Sequence, residues 1–362
     1  MTPRERVLSV LKDEKPDRVP WFGDLDYWMT YLKKTGGLDE KYLGNGMLEL
    51  HRDLGVGFYL QGYFPFRTVI ENVRIIRSTE DGVVSRSIET PYGTLTERTK
   101  YSDKSFSTGY IEHYVKSADD LKALRFIFEN TDYFPDYTIA EERRDLIGDL
   151  GINLCYAPKT PTMEMIALTA GIENFTYILA DAEDELVATL DLMAGKLAKA
   201  VAITCAAPVD CIMVPENISS ESVGKNIYGK FISSVHMKWT DKIRKAGKYS
   251  FVHLDGTMKA LLREIAASGF DVIEALTPYP VGDLKVSEIH DWIDGRNVIW
   301  GGLPGAFFTD DITDAEFDSF VIGVLDVMRS DHRYVLGVAD QVPPYSRADR
   351  IKRVSGLVEK YG

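Results

Sequence analysis

The chain has 362 residues, with 42 Lys and Arg against 55 Asp and Glu, which gives a formal net charge of −13. This balance argues against nucleic acid and against an anionic membrane surface as partners, because both need a concentrated basic face. Cys155, Cys205 and Cys211 are too few for a disulfide framework, and no apolar run reaches the ~18 residues of a membrane span. The charged N-terminus lacks the apolar stretch of a signal peptide, so we expect a cytoplasmic protein.

Eight short apolar runs alternate with helix-like segments along the chain. The runs are rich in β-branched and aromatic residues, which is typical of parallel strands covered on both faces. They span residues 18–23, 56–61, 151–156, 210–215, 249–254, 270–275, 297–301 and 333–337. This order predicts an α/β fold of the (β/α)8 TIM barrel type, with residues 1–362 as a single domain. A doubly wound sheet is the alternative, but no glycine-rich phosphate loop follows the first run.

Residues 67–115 interrupt this alternation. Three stretches, at 73–77, 83–88 and 94–99, alternate polar and apolar residues. Asp81-Gly82 and Tyr92-Gly93 supply turns between them. The segment therefore predicts an antiparallel β-meander inserted after strand 2.

Acidic residues gather where the predicted strands end, which is where barrel enzymes place their active sites. Glu216, Asp255, Glu274 and Asp340 lie at the ends of strands 4, 5, 6 and 8, with His253 on strand 5. Carboxylates in one funnel repel each other unless a cation neutralises them. His253 and Asp255 share a strand face and so can bind one ion, and this ligand set suits Zn²⁺, Fe²⁺ or Mn²⁺. The alternative is that His253 only hydrogen-bonds Asp255 or a helix cap.

Aromatic residues near the same rim predict an apolar pocket for a flat substrate, although ordinary barrel core is the alternative interpretation. The predicted substrate-binding residues are Trp21, Asp24, Tyr27, Tyr63, Phe64 and Tyr279. His51 lies in a helix-like stretch with charged neighbours, and we expect it at the surface.

Several motifs resemble the uroporphyrinogen decarboxylase superfamily over essentially the whole chain. They are Thr2-Pro-Arg-Glu-Arg-Val-Leu8, Pro16-Asp-Arg-Val-Pro20, Thr90-Pro-Tyr-Gly-Thr94, Lys116-Ser-Ala-Asp-Asp-Leu121, His253-Leu-Asp-Gly256 and Val342-Pro-Pro344. The later motifs resemble its corrinoid-dependent methyltransferase branch. True decarboxylases of this superfamily carry an Arg-rich segment after strand 1 and an Asp after strand 2. Here residues 21–26 contain no Arg, and strand 2 ends at Gln61 and not at an Asp. The acidic residues at the strand ends would also repel a tetrapyrrole that carries many carboxylates, which argues against porphyrinogen decarboxylation.

Methyltransferases that resemble methylcobamide:coenzyme M methyltransferase bind zinc through His-x-Cys on strand 5 and a Cys on strand 8. His253 matches that His, whereas Asp255 and Asp340 stand at the two Cys positions. Carboxylates make a harder site that is less suited to delivering a thiolate, so an oxygen-centred substrate becomes more plausible. The resemblance then implies the first methyltransferase of an O-demethylase.

The implied reaction moves a methyl group from a small aryl methyl ether to the Co(I) corrinoid of a partner protein. Zn²⁺ or another divalent metal on His253, Asp255 and Asp340 would act as a Lewis acid. Alternatively Glu216 or Glu274 would protonate the leaving oxygen, or Glu274 would be a fourth ligand. The superfamily resemblance also implies a homodimer. A decarboxylase or lyase of a small acid, held by Lys159 or another cation, and a non-catalytic binding barrel are the alternative functions.

Overall fold

The computed structural model describes residues 1–44, 46–59, 62–293 and 295–362. Its strands are β1 Trp21–Phe22, β2 Phe58–Tyr59, β3 Phe66–Ile70, β4 Arg74–Glu80, β5 Val83–Thr90, β6 Gly93–Ser102, β7 Ser107–Glu112, β8 Thr131–Pro135, β9 Gly151–Ile152, β10 Leu154–Tyr156, β11 Cys211–Ile218, β12 Tyr249–Leu254, β13 Val272–Leu276, β14 Val298–Pro304 and β15 Tyr334–Ala339. Its helices are α1 Pro3–Leu11, α2 Asp26–Thr35, α3 Met47–Leu54, α4 Leu121–Glu129, α5 Thr138–Ile147, α6 Pro161–Glu164, α7 Gly171–Asp181, α8 Glu183–Ala206, α9 Lys225–Ile227, α10 Ser233–Lys245, α11 Leu262–Ala266, α12 Asp314–Met328 and α13 Ala348–Tyr361. Within the described ranges, no helix combines the length and the apolar character that a membrane crossing needs.

The chain divides into two compact units. The first comprises Met1–Tyr63, Tyr137–Tyr156 and Ala207–Gly362, and the second comprises Phe64–Asp136 and Ala157–Ala206. The single domain that the sequence suggests remains a prediction.

The first unit contains a curled parallel sheet of seven strands in the order β1-β15-β14-β13-β12-β11-β10. Strand β2 pairs in parallel with β9, and a single bridge joins Phe22 to Gly57. Each of the eight predicted runs contains a strand. In the second run this strand is β2, and Leu60 and Gln61 of that run lie outside the described residues. The α/β class is therefore confirmed as a TIM-barrel-like fold.

The inner face of this sheet is filled by large apolar side chains, so it forms a core and not a channel. Trp300 lies at its centre, with its ring 4.7 Å from that of Tyr59, 5.1 Å from Phe22 and 5.5 Å from Phe251. A Cβ atom on Gly337 would lie 2.8 Å from Cδ1 of Trp300, so the indole needs glycine on the neighbouring strand. Since side chains alternate along a strand, the inward position after Phe251 on β12 belongs to His253.

The second unit contains a four-stranded antiparallel sheet in the order β4-β5-β6-β7 and a separate antiparallel pair of β3 with β8. The three stretches predicted to alternate correspond to β4, β5 and β6, whereas β7 was not predicted from the sequence. The buried side chains of Ile88 and Leu95 face each other across β5 and β6. That this sheet is an insertion into a barrel remains a prediction.

His51 departs from the sequence-based expectation, because its side chain is buried at 2% exposure. It lies on α3 with its ring edge-on to Phe58 at 4.8 Å. Burial lowers the pKa of His51 from 6.5 to about 4, although hydrogen bonds to the backbone of Val56 and Gly57 oppose the shift. The exposure was mispredicted because α3 turns this position toward β2, which its charged sequence neighbours do not reveal.

We expect His51 to make the protein less stable in mild acid. The unfolded chain takes up a proton near pH 6.5 and the folded chain only near pH 4, so stability is lost as the pH falls through this interval. The shift corresponds to about 3 kcal/mol. The free energy of unfolding is measured with urea at pH 7 and at pH 4.5. Its decrease between these two pH values should be smaller for His51→Gln than for the unmodified protein. Equal losses in the two proteins would contradict this assignment.

Candidate metal centre

His253 and Glu274 stand side by side on neighbouring strands. They are paired in the register of β12 with β13, and Nδ1 of His253 lies 2.5 Å from Oε2 of Glu274. Both side chains are buried. The contact fixes the imidazole and leaves Nε2 as the nitrogen that faces away from Glu274. A metal-binding histidine commonly has its second nitrogen held by a carboxylate in this way.

Tyr59 secures the other oxygen of Glu274. Its hydroxyl donates a hydrogen bond of 2.8 Å to Oε1, in a buried setting above the Trp300 ring. Both oxygens of the Glu274 carboxylate are thus engaged, one by a histidine and one by a phenol. Glu274 is therefore placed to orient His253.

Two aspartates converge on Nε2 of His253. Oδ1 of Asp340 lies 3.5 Å away, and Oδ1 of Asp255 lies 3.9 Å away. One ligand atom from each of the three residues falls within 4.8 Å of the others. Tetrahedral zinc with bonds of about 2.1 Å separates its ligands by roughly 3.4 Å, close to these distances. The donor set of one imidazole and two carboxylates, with solvent on one side of Asp340, fits a divalent metal with an open position.

Unusual backbone conformations surround this group. Asn217, Ala275 and Asp340 have φ values of 51°, 63° and 67°, a region that residues other than glycine rarely occupy. The pairing of β11 with β12 shifts between Val214 and Ile218, and that of β13 with β14 shifts beside Glu274. Such strain and bulges concentrate at functional sites because the surrounding fold must hold them in place.

The charges of the group shift its proton affinities. Burial lowers the pKa of His253, but Glu274, Asp255 and Asp340 together raise it to about 9. Loss of hydration raises the pKa of Asp340 to about 6, against the attraction of His253. Without a metal the protonated imidazole therefore supplies the positive charge that balances this acidic group. A divalent ion would take over that charge.

Asp24 is a further buried acid, and the charges of Asp340 and Glu274 act on it. Its side chain is 5% exposed, and burial followed by the charge of Asp26 raises its pKa well above the usual range. Oδ1 accepts the backbone N–H of Asp26 at 2.9 Å. Oδ2 is buried and has no hydrogen-bond partner among the residues that the structure describes. A buried carboxylic acid with one unsatisfied oxygen can donate a proton to a bound substrate.

Glu216 is placed elsewhere than the sequence analysis expected. It is fully buried on β11, and its Oε1 lies 3.5 Å from Nε2 of His236 on α10. Its neighbour Asn217 lies at the cluster instead, where Nδ2 donates to Oδ2 of Asp255 at 2.9 Å. The structure thus gives Asn217 the orienting contact, and Glu216 contacts the helix behind the strand.

The predicted aromatic residues differ in burial and in their contacts, and their role in substrate binding remains a prediction. Tyr63 is buried and donates to Oδ1 of Asn153 at 3.3 Å, whereas Tyr279 is 59% exposed in the loop after β13. Tyr27 is half-buried on α2. Phe64 belongs to the second unit, where its ring packs against Phe66 at 5.3 Å.

Trp21 points away from the metal-binding group. Its ring stacks on Phe308 at 6.5 Å, and it lines a cavity of about 650 Å³ formed by residues that precede the strands, such as Val56 and Leu150. That cavity is at the opposite end of the strands from His253. We therefore place the chemistry at His253 and not at this cavity, because the perturbed acids and strained residues surround the histidine.

Comparison with known proteins agrees with the fold. The family model described as "Uroporphyrinogen decarboxylase (URO-D)" matches residues 107–361. A methyltransferase from Methanosarcina mazei has a similar structure, with a TM-score of 0.64 and 14% sequence identity over 100% of this chain and 99% of that chain. At this identity the likeness shows the fold alone. No curated protein matches the sequence.

The family match includes strands β11 to β15, which carry His253, Asp255, Glu274 and Asp340 at or just beyond their ends. The resemblance found in the sequence is thus confirmed at the level of the superfamily. Since the match extends over well more than half of its length, the chain belongs to the uroporphyrinogen decarboxylase family.

Proposed function

We propose that the protein is a methyltransferase that moves a methyl group from an aryl methyl ether to the Co(I) corrinoid of a partner protein. The observation that carries this proposal is the convergence of Asp255 and Asp340 on Nε2 of His253. The M. mazei methyltransferase shares the fold and makes methyl transfer a reasonable class of reaction. Two carboxylates in place of thiolates favour a hard oxygen ligand over a thiol.

The three side chains would hold a divalent metal such as Zn²⁺ through Nε2 of His253 and one oxygen each of Asp255 and Asp340. When bound, the metal supplies a Lewis acid for the ether oxygen. Glu274 and Tyr59 keep the imidazole in place, and Asn217 does the same for Asp255. These contacts hold the ligands in position before a substrate arrives.

The proposed methyl transfer needs no additional oxidant or reductant. The methyl–oxygen bond breaks and leaves its electron pair on oxygen, and the electron pair of Co(I) forms the new carbon–cobalt bond. The leaving phenolate requires charge stabilisation or a proton. We propose Asp24 as the donor of that proton, because its buried Oδ2 has no hydrogen-bond partner among the described residues. Both oxygens of Glu274 are engaged, and Glu216 contacts His236.

The test uses zinc-loaded protein with free cob(I)alamin as the methyl acceptor. Aryl O-methyl, S-methyl and N-methyl donors are compared at equal concentration, and methylcobalamin is followed by its absorption spectrum. We expect transfer from the O-methyl donors only. Faster transfer from an S-methyl donor, or no transfer from any donor, would contradict the proposal.

A further inference from the structure

Strand β11 carries a bulge directly opposite His253. Pro215, Glu216 and Asn217 together stand where β12 has the single residue His253, and regular pairing continues on both sides. Proline has no N–H to donate to the ladder, and Asn217 has a φ of 51°. The bulge sends two neighbouring side chains to different partners, because Asn217 bonds Asp255 whereas Glu216 contacts the helix behind the sheet.

A chain of buried polar groups lies behind the bulge. The Ser268 hydroxyl donates to the carbonyl of Glu264 at 3.0 Å, and its oxygen accepts the Tyr228 hydroxyl at 2.6 Å. The Tyr228 oxygen then accepts Nδ1–H of His236 at 3.1 Å. This order of donors leaves Nε2 of a neutral imidazole without a hydrogen, facing Oε1 of Glu216 at 3.5 Å. A proton on one of these two atoms is therefore needed to join them.

The contact between Glu216 and His236 is completely buried. Both side chains are 0% exposed, and Nε2 of His236 has no hydrogen bond among the residues that the structure describes. The His236 ring also packs edge-on against Phe270 at 4.9 Å, which limits its movement. Separating two buried polar groups is costly, so the bulge is held in the conformation that keeps Glu216 beside His236. Because Asn217 directly follows Glu216, this conformation also determines where its amide points.

We propose that Glu216 and His236 are positioning residues of the metal centre. Their contact fixes the bulge of β11 and so keeps Nδ2 of Asn217 at 2.9 Å from Oδ2 of Asp255. Both residues act through Asn217 and not by contact with the metal or the substrate. The inference rests on the proposed function for the metal that Asp255 binds.

The first test is a double-mutant cycle on zinc affinity, measured by competition with a chelator. Glu216→Ala should weaken zinc binding by about 10-fold, and so should Asn217→Gly, which removes the amide at a φ that glycine tolerates. The double variant should also lose about 10-fold and not about 100-fold, because both changes remove the same contact to Asp255. Glu216→Gln should keep the affinity of the unmodified protein, since its amide N–H can donate to Nε2 of His236.

The second test follows the side-chain amide of Asn217 by NMR in the metal-free protein. Its resonances should move in Glu216→Ala and stay in place in Glu216→Gln. Thr240→Val is the matched control, because Thr240 is buried on the same helix as His236 and donates to the carbonyl of Ser268 at 3.0 Å. The control loosens α10 but leaves the contact of Glu216 intact. His236→Phe removes this contact from the other side and replaces Glu216→Ala if that variant does not fold.

Unchanged zinc affinity in Glu216→Ala, a loss of about 100-fold in the double variant, or an equal loss in Thr240→Val would overturn the positioning role. The NMR measurement separates this role from the proposed function. Movement of the Asn217 amide in a protein that binds no zinc would retain the positioning of Asn217 and reject the metal centre. An unmoved amide in a protein that binds zinc normally would do the reverse.

Discussion

Replacing Asp340 by asparagine should slow methyl transfer by about 100- to 1,000-fold, because it removes one of the two carboxylates that face His253. Asparagine keeps the shape of the side chain and tolerates the φ of 67° at this position. Alanine would add backbone strain to the loss of the ligand. The asparagine variant therefore tests the loss of the charge and of the ligand atom without disturbing the backbone.

The measurement compares kcat/KM for an aryl methyl ether between Asp340→Asn and the unmodified protein. Asp81→Asn is the matched control, since Asp81 also has a positive φ, of 49°, but lies in the β4–β5 turn of the second unit. The control should retain full activity. If Asp340→Asn also retained full activity, the assignment of Asp340 to the metal site would be contradicted.

Replacing Glu274 by glutamine should weaken zinc binding by about 10- to 100-fold, although Glu274 is not proposed as a ligand. The amide keeps the volume and can still accept the Tyr59 hydroxyl. It removes the charge that holds His253, so the pKa of His253 in the metal-free protein should fall from about 9. Burial, which lowers that pKa, would then be opposed only by the two aspartates.

Zinc affinity is measured by competition with a chromophoric chelator, and the titration of the His253 ring by NMR. Glu97→Gln is the matched control, because Glu97 also accepts a tyrosine hydroxyl, that of Tyr114 at 2.7 Å, but in the second unit. Unchanged zinc affinity and an unchanged His253 pKa in Glu274→Gln would show that the carboxylate does not position the imidazole.

The strands of the first unit could be predicted from the sequence because each is a short apolar run between polar loops. Strand β12 has the predicted bounds, and the period of two places Phe251 and His253 on the same inner face. The grouping of His253 with Asp255 and Asp340 follows from the rule that parallel strands end at one edge. The role of this group in binding a metal remains a prediction.

The parts of the site that depend on local irregularity could not be predicted. The register shift between Val214 and Ile218 brings Asn217 to Asp255 and leaves Glu216 against His236, and no sequence pattern marks such a shift. Tyr59 was overlooked because a strand of two residues shows no alternation.

The most direct test of the metal centre is the metal content of the purified protein beside its His253→Ala variant. His290→Ala serves as the control, since His290 is an exposed histidine that lies 3.3 Å from Asp331. We predict about one zinc or other divalent transition metal per chain in the unmodified protein and in the control, and none in His253→Ala. A protein that binds no metal even after zinc is added, or a His253→Ala variant that keeps its metal, would contradict the assignment of His253, Asp255 and Asp340.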